Sequence, residues 1–473
     1  MALQARPPPG YSSLPVSSSQ ILLPLTISNK CGQSFRWRRV EVYDNISLET
    51  NQVKIQESSI IRVKKEDESY TPLVQTSSKS IYRKTIEWSI CLADRVVFVR
   101  QDEERDFIYH KTIVAKHTEA AVEASILEET ATWLEDYLNL RVPLAELYQE
   151  WSEKDEVFKR FAKRFTGVRM LRQDPWECVC AFICSSNNNI ARIGQMVQNL
   201  CTHFSEPILK YTYPASPKDV LEGNDDVQTA PITITYYPFP TPDRLAQPDT
   251  EEKLRGLAFG YRARYIFEAA SLLLSKIEEK REDGFKYDEV DDYLASLRTM
   301  RYEEARKELL QLPGVGPKVA DCILLMSMDQ PSSIPVDRHV FQFAERWYKI
   351  KTKGGHKGYE YIANKFRTLW GPYAGWAHSV LFTADLRAFA LYKKEEEVKV
   401  ELEDYKVELK QQVEEVKVKE EQQQETVFYN NGRPAREQQS RQKKTTISET
   451  FPGIKRKSLD QKPANRKRKQ AHS

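Results

Sequence analysis

The chain has 473 residues, enough for two or three domains and a core that needs no covalent staples. Its formal charge is only +3, so a nucleic-acid footprint would have to be local, and seven cysteines without paired CxxC spacing argue against a disulfide framework or a zinc site and suit a reducing compartment. No apolar run reaches membrane-spanning length and the start carries no signal-peptide pattern, which predicts a soluble protein.

In chain order, residues 1–20 are Pro/Ser-rich and read as a loose arm. Residues 21–143 read as a β-rich domain: Arg95-Val96-Val97-Phe98-Val99-Arg100 and Asp106-Phe107-Ile108-Tyr109 are strand-like runs, and 119–140 has helical spacing. Within it, Cys31-Gly32-Gln33-Ser34-Phe35-Arg36-Trp37 taken alone is an ordinary strand start with a glycine. Residues 144–392 are mainly helical, with Leu144, Leu147, Tyr148 and Trp151 as core at helical spacing. The stretch Ile183-Cys184-Ser185-Ser186-Asn187-Asn188-Asn189-Ile190-Ala191-Arg192 joins an apolar helix ending near Cys184 to an amphipathic one carrying Ile193, Met196, Val197 and Leu200 on one face. Asn189 suits an N-cap, and three consecutive amides are costly to bury without partners. The stretch is either a capped interhelical turn or a polar wedge entering a duplex where a base has left. Residues 204–239 read as a polar surface insertion, and Gly260-Tyr261-Arg262-Ala263-Arg264-Tyr265 as either a solvated helix start or a stacking wedge.

The densest chemistry follows. Leu312-Pro313-Gly314-Val315-Gly316-Pro317-Lys318-Val319-Ala320-Asp321-Cys322 forms a tight hairpin between helices expected over 302–310 and 318–328. Gly314 and Gly316 let backbone approach a partner, and the free N–H groups at the second helix start favour an anion, as a backbone phosphate would be. No β-strand precedes this hairpin, which argues against a nucleotide-binding Rossmann turn. Lys318 lies in positive potential in that helix's first turn, and desolvation by apolar neighbours would further favour its neutral, nucleophilic form. Asp337, after Ile334-Pro335-Val336, opens a helix expected over 338–348; it caps that helix, or serves as a catalytic carboxylate, or both. His339 taken alone is a packed or surface histidine, and the run 349–353 is a solvated loop or a phosphate contact. Beyond Tyr392, residues 393–424 alternate Lys, Glu and Val, which reads as a solvated helix or as disorder. Two basic clusters, 455–457 and 466–469, stand eight residues apart and read as a bipartite nuclear-import signal or non-specific DNA affinity.

The 312–322 hairpin, followed by a Gly/Pro-rich loop and Asp337, resembles the helix–hairpin–helix superfamily of DNA base-excision glycosylases, in which a lysine at this position marks members that also cleave the strand. The 31–37 motif, the 183–192 turn and the stretch Leu369-Trp370-Gly371-Pro372-Tyr373-Ala374-Gly375-Trp376-Ala377-His378-Ser379-Val380-Leu381-Phe382 extend the resemblance to eukaryotic 8-oxoguanine DNA glycosylases over roughly 21–392. The resemblance implies an α+β fold: an N-terminal antiparallel sheet domain with a helix (21–143) packed on a helical glycosylase domain (144–392), with a disordered tail (393–473). It implies Lys318 and Asp337 as catalytic residues, and Gly32, Cys322, Pro335, Asp337, His378 and Phe382 around the flipped base. It implies DNA contacts from Asn187, Arg192, Tyr261, Arg262, Gly314, Gly316 and His339.

The clearest departure is His378, where the family has a glutamine that reads the Watson–Crick edge; a neutral imidazole offers one donor and one acceptor on separate nitrogens. Some superfamily members carry an iron–sulfur cluster after the catalytic helix, but no cysteine follows Cys322, so no metal or cofactor is expected. The expected partners are damaged duplex DNA and, through the tail, the nuclear-import machinery, with no membrane and a monomeric chain in the nucleus. Two other readings stand beside this one: a related glycosylase/lyase for other oxidised bases, and a non-catalytic helix–hairpin–helix module. The second would not need Lys318 and Asp337 together.

Overall fold

The computed structural model describes residues 7–45, 82–114, 120–215, 230–282 and 289–392. The charged tail from 393 onward, with its two basic clusters, lies outside the described residues.

Strands β1 (Ser12–Pro15), β2 (Arg38–Asn45), β3 (Tyr82–Cys91), β4 (Arg95–Asp102) and β5 (Phe107–Val114) form an antiparallel sheet in the order β1-β5-β4-β3-β2. Alternation along β4 shows how it is buried. Val97 and Val99 join Trp88, Ile90 and Ile108 under Leu134 and Tyr137 of helix α1 (Ala120–Tyr137), whereas Val96 and Phe98 join Tyr109 on the opposite face. Both faces are covered, so the strand reads as an unbroken apolar run rather than an alternating one.

The second cover corrects the expectation for 204–239. The segment contributes a two-stranded ribbon, β6 (Leu209–Tyr213) paired with β7 (Ile232–Tyr236), which buries Tyr213 and Tyr236 against Val96 and Phe98. Ser89 Oγ and Tyr236 Oη hydrogen-bond at 2.7 Å beneath it. The N-terminal arm is likewise not loose from Tyr11 onward: β1 pairs along β5, and the Tyr11 hydroxyl donates to Glu87. The run 31–37 is irregular, and strand begins only at Arg38.

The helical part comprises α2 (Leu144–Lys154), α3 (Pro175–Cys184), α4 (Ile190–Phe204), α5 (Arg262–Glu282), α6 (Tyr302–Leu309), α7 (Pro317–Ser327), α8 (Arg338–Tyr348), α9 (Gly355–Trp370) and α10 (Ala374–Asp385), with short helices between. Helix α3 is buried along its whole length and packs on α7, so the hairpin helix leans on the most deeply buried element of the core. Its start is set locally: Asp174 accepts from the Glu177 amide at 2.7 Å, and Pro175 takes the first helical position.

The sheet and helical parts are joined through the 31–37 run. Arg36 pairs with Glu177 of α3 at 2.7 Å and donates to the Cys91 carbonyl of β3, both side chains being buried. The Gln33 side chain bonds the Arg169 carbonyl at 3.0 Å and the Leu171 amide at 3.2 Å, while Gln173 returns a bond to the Gln33 carbonyl at 2.9 Å. These bonds fix the backbone that presents Gly32.

Candidate active site

One cleft between α3, α7, α10 and the 31–33 backbone is lined by Gly32, Lys318, Cys322, Pro335, Asp337, His378 and Phe382, all singled out in the sequence. Met170, Phe182 and Met326 complete its apolar wall. The cavity is only about 40 Å³, room for a few waters. Phe382 is half-buried between the His339 and His378 rings, 5.9 and 6.1 Å from their centroids. A larger groove of about 860 Å³ between β2, α4 and residues 388–392 carries only Lys30, Arg38 and Arg39 as charges, so size alone does not locate the chemistry.

Gly32 needs to be glycine on two counts. Its φ is +78°, and a Cβ would stand 3.2 Å from Ile190 Cδ1 and 3.6 Å from Phe382 Cε1. Gly314 is held more tightly still: φ is +82° and a Cβ would meet Tyr265 side-chain carbons at 2.8–2.9 Å. Gly316 has open space around it, and its amide and that of Lys318 stand at the start of α7, where Pro317 occupies the first helical position. The hairpin is thus close-packed behind and open in front, the shape a phosphate oxygen requires.

Lys318 rests against α3. Its Nζ donates to Ser185 Oγ at 3.3 Å and lies 5.4 Å from the Phe182 ring centroid. Burial pushes its pKa down, but the Cys322 sulfur and Asp337 carboxylate outweigh that, and the net direction is above 10.5. This corrects the expectation of a resting neutral amine: the resting side chain is an ammonium and must shed a proton before it can attack. Burial pushes the Cys322 thiol up to about 11, with Lys318 opposing. Asp337 does cap α8: its Oδ1 accepts from the His339 and Val340 amides at 2.8 and 3.1 Å. His339 Nδ1 stands 3.2 Å from Asp385 Oδ2, and its side chain is 45% exposed at the cleft's edge.

His378 is 4% exposed, and neither ring nitrogen has a hydrogen-bond partner. Burial lowers its pKa to about 4; Asp337 opposes this and Lys318 reinforces it. Between about pH 4 and the ordinary 6.5, the unfolded chain therefore binds a proton that the folded chain refuses, and stability falls as pH drops through that window. The loss expected by pH 4 is about 3 kcal/mol from this group. Urea unfolding of the wild type and of H378Q at pH 7 and pH 4.5 measures it: the variant should lose less stability on acidification, and equal losses would mean that His378 is not the group responsible.

The three amides divide their roles. Asn188 Nδ2 donates to the Cys184 carbonyl at 2.9 Å and Asn189 caps α4 through the Arg192 amide at 2.9 Å, whereas Asn187 is exposed with φ +47°. Arg192 is exposed and donates to the Ala258 carbonyl at 3.1 Å; Tyr261 is 46% exposed. Arg262 is instead 4% exposed, its guanidinium donating to the Ser186 and Asn187 carbonyls and stacking on Tyr261 at 4.6 Å. It supports the Asn187 turn from beneath. Sequence reasoning passed over Phe182 and Ser185, the two α3-end groups touching Lys318, because each matches an ordinary core or turn residue; only the spatial approach of α3 to α7 reveals them. Among the described residues no group of three His, Cys, Asp or Glu is placed to hold a metal ion, and no helix is long and apolar enough to cross a membrane.

Residues 75–179 match the family model of the 8-oxoguanine DNA glycosylase N-terminal domain, and residues 180–372 that of the HhH-GPD superfamily of base excision DNA repair proteins. The chain is 33% identical over 314 residues to an N-glycosylase/DNA lyase of Saccharomyces cerevisiae, covering 62% of this chain and 74% of that one. It is 36% identical over 318 residues to the N-glycosylase/DNA lyase OGG1 of Arabidopsis thaliana, covering 65% and 74%. The fold matches that of the Clostridium acetobutylicum 8-oxoguanine glycosylase/lyase solved with duplex DNA containing cytosine opposite 8-oxoG, with a TM-score of 0.52, 22% identity, and coverage of 80% of this chain and 96% of that one.

Proposed function

The chain belongs to the family of eukaryotic N-glycosylase/DNA lyases, and from that premise we propose how its residues act. The protein is a bifunctional DNA glycosylase and AP lyase that excises 8-oxoguanine opposite cytosine from duplex DNA and then nicks the strand. The observation that carries the assignment of roles is the meeting in one cleft of Lys318, Asp337, Cys322, Gly32, His378 and Phe382.

In this reading the duplex is bent and the lesion extruded, at a cost of a few kcal/mol that backbone contacts at the Gly314/Gly316 hairpin and His339 offset. Asn187, Arg192 and Tyr261 fill the gap and face the stranded cytosine, with Arg262 bracing the turn. Within the cleft the Gly32 carbonyl faces the N7 hydrogen that only the oxidised base carries. Phe382 stacks on the ring and His378 meets its Watson–Crick edge with one neutral nitrogen.

Chemistry begins as the C1′–N9 bond breaks and its electron pair leaves with the base. The proton lost from the Lys318 ammonium ends on the departing base, and the resulting amine bonds to C1′. Asp337, as carboxylate, stabilises the positive charge that develops on the sugar before that bond forms. Transfer of a proton from nitrogen to O4′ opens the ring to a Schiff base. Loss of a C2′ proton then expels the 3′ phosphate.

Single-turnover release of 8-oxoguanine from duplexes that place it opposite each of the four bases tests the assignment. Release should be fastest opposite cytosine. No release from any pair, with other oxidised bases excised instead, would assign the pocket to another lesion.

A further inference from the structure

Ser185 ends α3 with its hydroxyl proton already committed, donating to the Phe182 carbonyl at 2.7 Å, so toward the Lys318 ammonium the oxygen acts as an acceptor at 3.3 Å. The next residue begins a different contact set. The Ser186 carbonyl accepts from the Tyr261 hydroxyl at 3.0 Å and from the Arg262 guanidinium, which also holds the Asn187 carbonyl at 3.2 Å. Arg192 closes the set by donating to the Ala258 carbonyl. Both loops of this unit carry a non-glycine residue in the left-handed region, Asn187 at φ +47° and Ala258 at φ +64°. An alanine such as Ala258 rarely adopts such backbone, and it persists where surrounding bonds over-determine it. The exposed Asn187 thus sits on a turn pinned by these bonds, and the peptide that opens that turn follows directly on Ser185, the residue that holds the Lys318 ammonium.

We propose that Ser185 is a positioning residue that couples the reading of the base opposite the lesion to the placement of Lys318. This rests on the assignment of Asn187 and Arg192 to the stranded base. While the turn is unengaged, Ser185 Oγ holds the ammonium against α3. Engagement of the correct partner base re-sets the turn and with it the Ser185 oxygen, which frees Nζ toward the sugar. A wrong partner leaves the lysine held. Discrimination between opposite bases is then expressed in the chemical step as well as in binding.

The test compares wild type, S185A and S185T in single-turnover excision of 8-oxoguanine opposite cytosine and opposite adenine, alongside duplex affinities. S185A should compress the ratio of the two rate constants about tenfold while the ratio of the two affinities stays unchanged, and S185T, which keeps the hydroxyl, should retain the wild-type ratio. Because a bond to the charged form favours that form, S185A should also shift the pH dependence of the chemical step to lower pH. A double-mutant cycle with N187A should show non-additive effects on the rate opposite cytosine.

A rate ratio unchanged in S185A, or equal slowing opposite both bases with no shift in pH profile, would overturn the proposal and leave Ser185 as a helix end. If S185A fails to fold, S185C, which replaces the oxygen by a weaker acceptor, is read by the same criteria. Wild-type protein inactive on every 8-oxoguanine pair would instead overturn the functional reading on which the proposal rests.

Discussion

Replacing Lys318 with glutamine should abolish strand cleavage and slow base release by at least about a thousandfold, equivalent to about 4 kcal/mol of transition-state stabilisation. Glutamine is one bond shorter but keeps a polar end, and it has no amine to bond to C1′. Lys318 lies behind the hairpin amides rather than among the groups assigned to phosphate, and duplex affinity should change little. Measured together, single-turnover excision and equilibrium binding separate the two roles. A variant that binds and still excises at the wild-type rate would show that the lysine is not the nucleophile.

Asp337 should show the second-largest effect, and its two roles can be told apart by the choice of substitution. One oxygen caps α8 through two amides, and asparagine, a good N-cap, can keep those bonds while removing the charge. D337N should therefore unfold at nearly the wild-type temperature yet excise about 10²–10³-fold more slowly, the usual range for removing one pre-organised electrostatic contact to a developing charge. D337A should lose the same activity and in addition about 1 kcal/mol of stability. If D337N excises normally while D337A is both unstable and slow, Asp337 is only a helix cap.

These expectations rest on protonation states and contacts that were legible in the sequence to different degrees. Helix α8, the end of α3 near Cys184 and the Asn189 cap were readable because each is set by neighbours a few residues away, through apolar spacing and a side chain reaching its own backbone. The pocket residues were readable only because short motifs resemble a known family, since nothing in the spacing of Gly32, Lys318, Asp337 and His378 says that they meet.

What was misread depends on partners distant in the chain. The arm forms an edge strand because β5 offers an unpaired edge about a hundred residues later, as the Ser12 to His110 register shows. The 204–239 segment looked like a surface insertion because its tyrosines are buried by a sheet far upstream. The protonation of Lys318 inverts for the same reason: local dipole and burial favour the amine, but Cys322 one turn away and Asp337 from the next loop favour the ammonium. Arg262, read as part of an exposed wedge, is buried because the carbonyls of the Asn187 turn claim its guanidinium.

His378 is the position where the sequence departs, with a physical consequence, from the motif it resembles. Glutamine presents a donor and an acceptor on one planar end, whereas a buried neutral imidazole with no partner on either nitrogen has no contact to fix its tautomer. In the role proposed for it, the base edge that enters the cleft would select which nitrogen carries the proton.

The central claim is that a lysine in this cleft bonds covalently to the sugar of an 8-oxoguanosine. Borohydride reduction of wild-type protein on a duplex carrying 8-oxoguanine opposite cytosine, followed by mapping of the modified peptide, tests it most directly. A stable protein–DNA adduct on Lys318 is expected, formed at the rate of base release and absent in K318Q. Base release without any adduct, or an adduct on another residue, would contradict it.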